Sequence, residues 1–159
     1  MKNVITILFL TFSLSSALAC SCLRIGILKG QNTTDFVLTG KVVKVNKIIS
    51  QEKITFDDRI VDYVRYEFIF EIKHIHKGKN EFDYLERITI ITSGAGADCG
   101  NYFELNEKYL VYSYKEQFKV GWGLEDQKAE KEFMSTNLCT RTKRIGFFSF
   151  LEQFVLELT

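Results

Sequence analysis

The chain has 159 residues, 46% of them apolar and 14% aromatic, and its 21 Lys and Arg offset 20 Asp and Glu to a net charge of +1. That length suits one domain with enough apolar chain for a core of its own. The even charge balance excludes a partner selected by bulk charge, such as nucleic acid or an acidic substrate.

The first segment is an export signal. Met1-Lys2-Asn3 is basic, Val4 to Leu14 is apolar, and Ala17 and Ala19 are the small residues a signal peptidase requires at −3 and −1. Cleavage after Ala19 removes residues 1–19 and leaves a domain over 20–159, secreted or periplasmic, with Cys20 first. A lipoprotein signal also places Cys first and would anchor the chain by lipid on Cys20. That signal prefers Leu, Val or Ile where Ala17 stands. An uncut anchor is the remaining alternative, but the apolar run is shorter than the ~20 residues that span a bilayer. No later segment is long and apolar enough to span. A free amine on Cys20 has a chemical consequence: together with its own carbonyl oxygen it can chelate one metal in a five-membered ring.

Residues 23–34 read as irregular, with Gly26, Gly30 and a polar run. Asp35 to Asn46 reads as a strand bent at Gly40. Residues 47–60 are polar and charged and predict an exposed loop or a protruding hairpin. From Asp62 to His76 the pattern alternates, with Tyr66, Phe68, Phe70 and Ile72 on one face and Glu67, Glu71 and Lys73 on the other. Lys77-Gly78-Lys79-Asn80 reads as a turn. Arg87 to Thr92 is a further strand, followed by the glycine-rich loop 93–98. Lys108 to Tyr114 and Phe118 to Gly123 predict a hairpin, and the charged stretch 125–135 a short helix. The tail from Lys143 to Leu158 carries Phe147, Phe150, Leu151, Phe154, Val155 and Leu158 at helical spacing, an apolar stripe expected to pack on the core. Short, bent strands, a long first connection and a late helix predict a small closed five-stranded barrel. Its expected core is Phe36, Val42, Tyr66, Phe68, Phe70, Ile72, Ile88, Ile90, Leu110 and Tyr112.

The four cysteines are Cys20, Cys22, Cys99 and Cys139. An even count in an exported chain predicts two disulfides. A Cys20–Cys22 ring is too tight for disulfide geometry. Two pairings remain, each tying the N-terminus to two distant points. The two histidines, His74 and His76, share a strand face, but spacing shows no third metal ligand, so a structural or surface role at the strand end is expected. The loop Gly94-Ala95-Gly96 lacks the Gly-Lys-Ser/Thr continuation of a phosphate cradle and reads as a turn into Cys99. No Ser-His-Asp, Cys-His or paired-carboxylate set is present, which argues against an enzyme.

Several of these features together resemble the netrin-like module of the tissue inhibitors of metalloproteinases (TIMPs). They are Cys20-Ser21-Cys22 after the cleavage site, Thr39-Gly40-Lys41-Val42 in the first strand, and Tyr66-Glu67-Phe68 with Lys77-Gly78 at the end of the second. Cys99-Gly100-Asn101-Tyr102-Phe103 and Leu138-Cys139-Thr140 complete the set. The resemblance covers most of residues 20–150. It departs from the family in lacking cysteines for a third disulfide, a separate C-terminal domain, and the prolines that follow the second cysteine.

The resemblance implies a mainly β, five-stranded OB-fold barrel with a C-terminal helix and a disulfide-tethered N-terminus. It selects the pairs Cys20–Cys99 and Cys22–Cys139. It further implies an inhibitor with no cofactor of its own, whose Cys20 amine and carbonyl bind the zinc of a partner metalloprotease. Ser21 would enter the protease's specificity pocket, with Cys22 and the loop residues Ala97 and Asp98 alongside. A catalytic zinc keeps one position open for water, which such a chelate can fill. The amine must be neutral to do so, and an ordinary α-amine titrates near ~7.7–8.0. The alternative function is an exported binding or adhesion module on the same fold without a protease target. A monomer is expected in either case.

Overall fold

A computed structural model of the chain describes residues 22–23, 25–53, 60–79, 85–94, 99–118, 128–146 and 149–158. The elements are α1 (Ile27–Asn32), β1 (Phe36–Lys53), β2 (Ile60–Lys77), β3 (Arg87–Ser93), β4 (Lys108–Phe118), β5 (Lys128–Ser135), β6 (Lys143–Arg144) and α2 (Ser149–Glu157). The protein is mainly β. Strands pair in the order β1-β2-β3-β5-β4, and β4 pairs back onto β1, closing a ring of five. All junctions of the ring are antiparallel except β3–β5, where Ile90 and Ile91 face Met134 and Ser135 in parallel.

β1 makes closure possible because it serves two partners. Its first residues, Phe36 to Lys41, pair with β4, while its whole length from Val37 to Lys53 pairs with β2. Register shifts at Val37/Leu38, Thr39/Gly40 and Val42/Lys44 bend it between the two. Gly40 sits at that bend, where a Cβ would lie 2.9 Å from Leu38 and 3.0 Å from the Glu71 carbonyl. Beyond the ring, β1 and β2 stay paired out to Lys53 opposite Ile60. Of the polar stretch 47–60, residues 47–53 are thus strand paired with β2, and residues 54–59 lie outside the described residues.

Alternation sorts side chains to the two faces of the ring wall. Phe36, Leu38, Phe68, Phe70, Ile90 and Val111 point inward and are fully buried. Phe103 joins them, its ring 4.9 Å from Phe68, 5.1 Å from Phe70 and 4.8 Å from Tyr109, each edge to face. Tyr66 and Ile72, expected in this core, are half-buried at its margin. Leu110 and Tyr112 are buried as expected, but on the outer face. There they form a second apolar cluster with Val37 and Leu156, flanked by Ile27 and Ile145. Helices α1 and α2 supply that outer cover.

Four local expectations are corrected. Residues 128–135 form a strand rather than a short helix. This strand, not 118–123, is the partner of β4; Phe118 belongs to β4 and faces Lys128, and 119–127 lie outside the described residues. The segment expected to be irregular holds α1, whose last carbonyls are capped from elsewhere. Lys77 Nζ donates to the carbonyls of Gln31 and Thr34, 2.7 and 2.5 Å away, and the Thr34 hydroxyl donates to that of Gly30. The tail is helical over Ser149–Glu157 only, since Lys143–Arg144 form β6 against β4, and the helix's apolar stripe points away from the core. Leu151, Phe154 and Leu158 stand in solvent, while Ser149, Glu152 and Leu156 face inward. Phe147 lies outside the described residues. Among the described residues no helix is long and apolar enough to cross a membrane.

Candidate functional site

The candidate site is built where three connections meet. Cys22 is disulfide-bonded to Cys139 across a sequence separation of 117, as the family resemblance implies. Cys139 lies in a turn just after β5, and Asn137 shapes that turn. The Asn137 side-chain oxygen accepts from the Cys139 amide at 2.8 Å, and its carbonyl accepts from the Thr140 amide and hydroxyl. The same carbonyl accepts from the Asn101 side chain at 2.7 Å, and Leu138 N–H donates to the Cys99 carbonyl at 2.8 Å. The backbone thus brings the Cys139 turn against the Cys99 segment. Cys99 is itself disulfide-bonded.

The Cys99-Gly100 pair has a steric basis. Cys99 adopts a left-handed φ of 57°. A Cβ on residue 100 would come within 1.9 Å of the Ser93 carbonyl oxygen, so only glycine fits. The next residue is then held to β3, because the Thr92 hydroxyl donates to the Asn101 carbonyl at 2.7 Å.

Arg141 locks the other side of this end. Its Nη1 donates to the Ile25 carbonyl at 2.5 Å, and its Nε and Nη2 donate to Glu152 at 2.5 and 2.9 Å. A cavity of about 120 Å³ opens between the Cys22–Cys139 disulfide, Ile25 and Arg141. Leu23 and Leu138, both exposed, flank it with apolar surface. Sequence reading missed Asn137 and Arg141, each a single polar residue in a loop with no spacing signal, and gave Asn101 no role beyond its place in the Cys99–Phe103 motif.

Of the residues expected at the site, the structure places Cys22, Cys99 and Cys139 together at one end of the ring. Cys20, Ser21, Ala97 and Asp98 lie outside the described residues, as do residues 1–19.

A second cluster involves the histidines. The His74 and His76 rings are neighbours with centroids 4.6 Å apart, and the end of α2 brings Glu157 to them. Glu157 Oε1 lies 3.8 Å from His74 Nε2. Thr39 Oγ1 shares a 2.9 Å hydrogen bond with His76 Nε2. Burial, and secondarily the neighbouring His74, lowers the His76 pKa to about 4, so the ring is neutral at physiological pH.

No family model matches the chain, and no curated protein matches it.

Proposed function

We propose that the chain is an exported inhibitor of zinc metalloproteases of the TIMP type, built on an OB-type ring. The observation that carries this reading is the covalent tie of Cys22 to Cys139 beside the disulfide-bonded Cys99. A chain spans at most ~3.6 Å per residue, so an N-terminus created at Cys20 starts within about 7 Å of Cys22. The amine is thereby confined to this end of the ring. Cys20 is the one cysteine left to partner Cys99, which supports the Cys20–Cys99 pair. The closed crossover order with one parallel junction supports the OB type.

On this reading the Cys20 amine and carbonyl displace the zinc-bound water of the protease, Ser21 enters its pocket, and Ala97 and Asp98 lie alongside. The metal belongs to the partner. Two disulfides hold the terminus in place beforehand, so less ordering cost opposes association. A second reading, an exported binding module, draws on the exposed Leu151, Phe154 and Leu158 of α2.

The test uses protein secreted and processed to begin at Cys20, and a form with one Ala added before Cys20. Both are titrated against a panel of zinc metalloproteases. The native form should inhibit at least one enzyme, and the extended form should lose that inhibition with an unchanged melting temperature. Inhibition of none favours the binding module; equal inhibition by both forms rules out chelation by the terminal amine.

A further inference from the structure

We propose that His74, His76 and Glu157 bind one divalent transition-metal ion, Zn²⁺ by ligand chemistry, which clips the end of α2 to β2. The strand period of two puts both histidines on one face of β2, and α2 packs against that strand and ends there. One ligand atom from each of the three side chains lies within 4.8 Å of the others. Two imidazoles and a carboxylate suit zinc, whereas Ca²⁺ and Mg²⁺ take oxygen ligands.

Ligand atoms bound tetrahedrally at about 2.0–2.1 Å stand roughly 3.4 Å apart, so closure needs movements of about an ångström. His74 and Glu157 are both more than half exposed and have the freedom to make them. His76 is the fixed member. Thr39 holds its Nε2, and its Nδ1 is buried with no hydrogen-bond partner among the described residues. In the tautomer where Nε2–H donates to Thr39 Oγ1, the Nδ1 lone pair is left for a metal. That arrangement, a ligand imidazole oriented through its other nitrogen, is the usual support of a zinc histidine. Three protein ligands leave the fourth position to water. The site is separate from the Cys22–Cys139 end and does not depend on the inhibitory reading.

The experiment is calorimetric titration of the tag-free, chelator-stripped chain with ZnCl₂ near neutral pH, paired with melting curves. One Zn²⁺ per chain should bind with a micromolar Kd, and excess Zn²⁺ should raise the melting temperature. Glu157→Gln and His74→Ala alter exposed side chains, so the fold survives them. Each should weaken binding at least tenfold and abolish the thermal shift. Thr39→Val should weaken binding by about tenfold through the lost support of His76. One Ala added before Cys20 should leave the affinity unchanged. Absence of binding up to millimolar Zn²⁺ would overturn the proposal. So would unaltered affinity in both ligand variants, or loss of affinity in the N-terminally extended form alone.

Discussion

Tyr112 Oη donates a 2.7 Å hydrogen bond to Glu152 Oε1, joining the middle of β4 to the inward face of α2. Glu152 is 3% exposed, yet it keeps its charge because three groups converge on it. Arg141 binds both of its oxygens, and Lys143 pairs with Oε2. Since Arg141 also holds the Ile25 carbonyl, one buried carboxylate links β4, α2, the chain after Cys139 and the N-terminal segment.

Removing that carboxylate strands its partners. Glu152→Ala should cost about 3 kcal/mol, the low end of the range for breaking a buried pair, because Arg141 and Lys143 retain some solvent contact. Tyr112→Phe should cost about 1.5–3 kcal/mol, the value of a hydrogen bond to a charged group. Urea unfolding of the two single variants and the double should reveal coupling, because one bond joins the two residues.

The pH dependence follows in sign. Burial raises the Glu152 pKa, but the hydrogen bonds from Arg141, Lys143 and Tyr112 outweigh it and hold the carboxyl below its usual value. Its stabilisation is therefore complete above the unfolded pKa of about 4.3 and is lost as pH falls through the lower folded value. Glu152→Gln should flatten this acid limb when urea midpoints are compared between about pH 5 and pH 3. His76, whose pKa is lowered from 6.5 to about 4, sheds its share in a higher window that the Gln variant leaves untouched.

Much of the ring was legible in the sequence, and the exceptions have physical reasons. The alternation from Tyr66 to Ile72 marks β2 because that strand has one buried face and one wetter face. Strand β5 shows no such pattern; its charged sequence becomes β because β4 and the parallel edge of β3 pair with it, a tertiary effect. Helix α1 carries a glycine and only six residues, and it forms where Lys77 supplies its cap. In α2 the helical period was readable but its direction was not. Apolar spacing shows that a stripe exists, and here a carboxylate with three partners wins the inward face. Cys99-Gly100 stood out in the sequence, whereas Glu157 did not, because only the docking of α2 brings it to His74 and His76.

The orientation of α2 is directly testable. Leu156 is 2% exposed and packs in the outer cluster, so Leu156→Ala should cost about 2–5 kcal/mol. Phe154 is exposed, so Phe154→Ser should change stability by no more than about 0.5 kcal/mol. The larger side chain should be the less costly one to remove. Thermal or urea melts of both variants decide the point, and equal losses would mean that the aromatic stripe faces the core after all.

Two glycines give a matched comparison. Gly100→Ala drives a methyl group into the Ser93 carbonyl, which belongs to the backbone at the end of β3 and cannot rotate away. The loss should exceed about 4 kcal/mol, the level reserved for severe local conflicts. Gly146→Ala meets nothing within 4 Å and should be close to neutral. Yield of folded protein and melting temperature together measure the contrast.

The Cys22–Cys139 bond joins the start of the described chain to a point 117 residues later, so it restrains almost the whole unfolded ensemble. The chain-entropy model gives about 5 kcal/mol for a loop of that length, and measured losses of native disulfides run about 2–5 kcal/mol. The Cys22→Ala/Cys139→Ala double variant should therefore lose stability within that range while the ring, whose apolar cluster it does not touch, still unfolds cooperatively. On the inhibitory reading the variant should lose more in binding than a folded ring alone would explain, because the N-terminal segment would be free of one of its two covalent restraints and would have to be ordered on association. Far-UV circular dichroism with urea unfolding measures the first effect, and inhibition titrations of the folded variant measure the second. A variant that folds and inhibits as well as the native protein would show that this tie stabilises the chain without positioning the terminus.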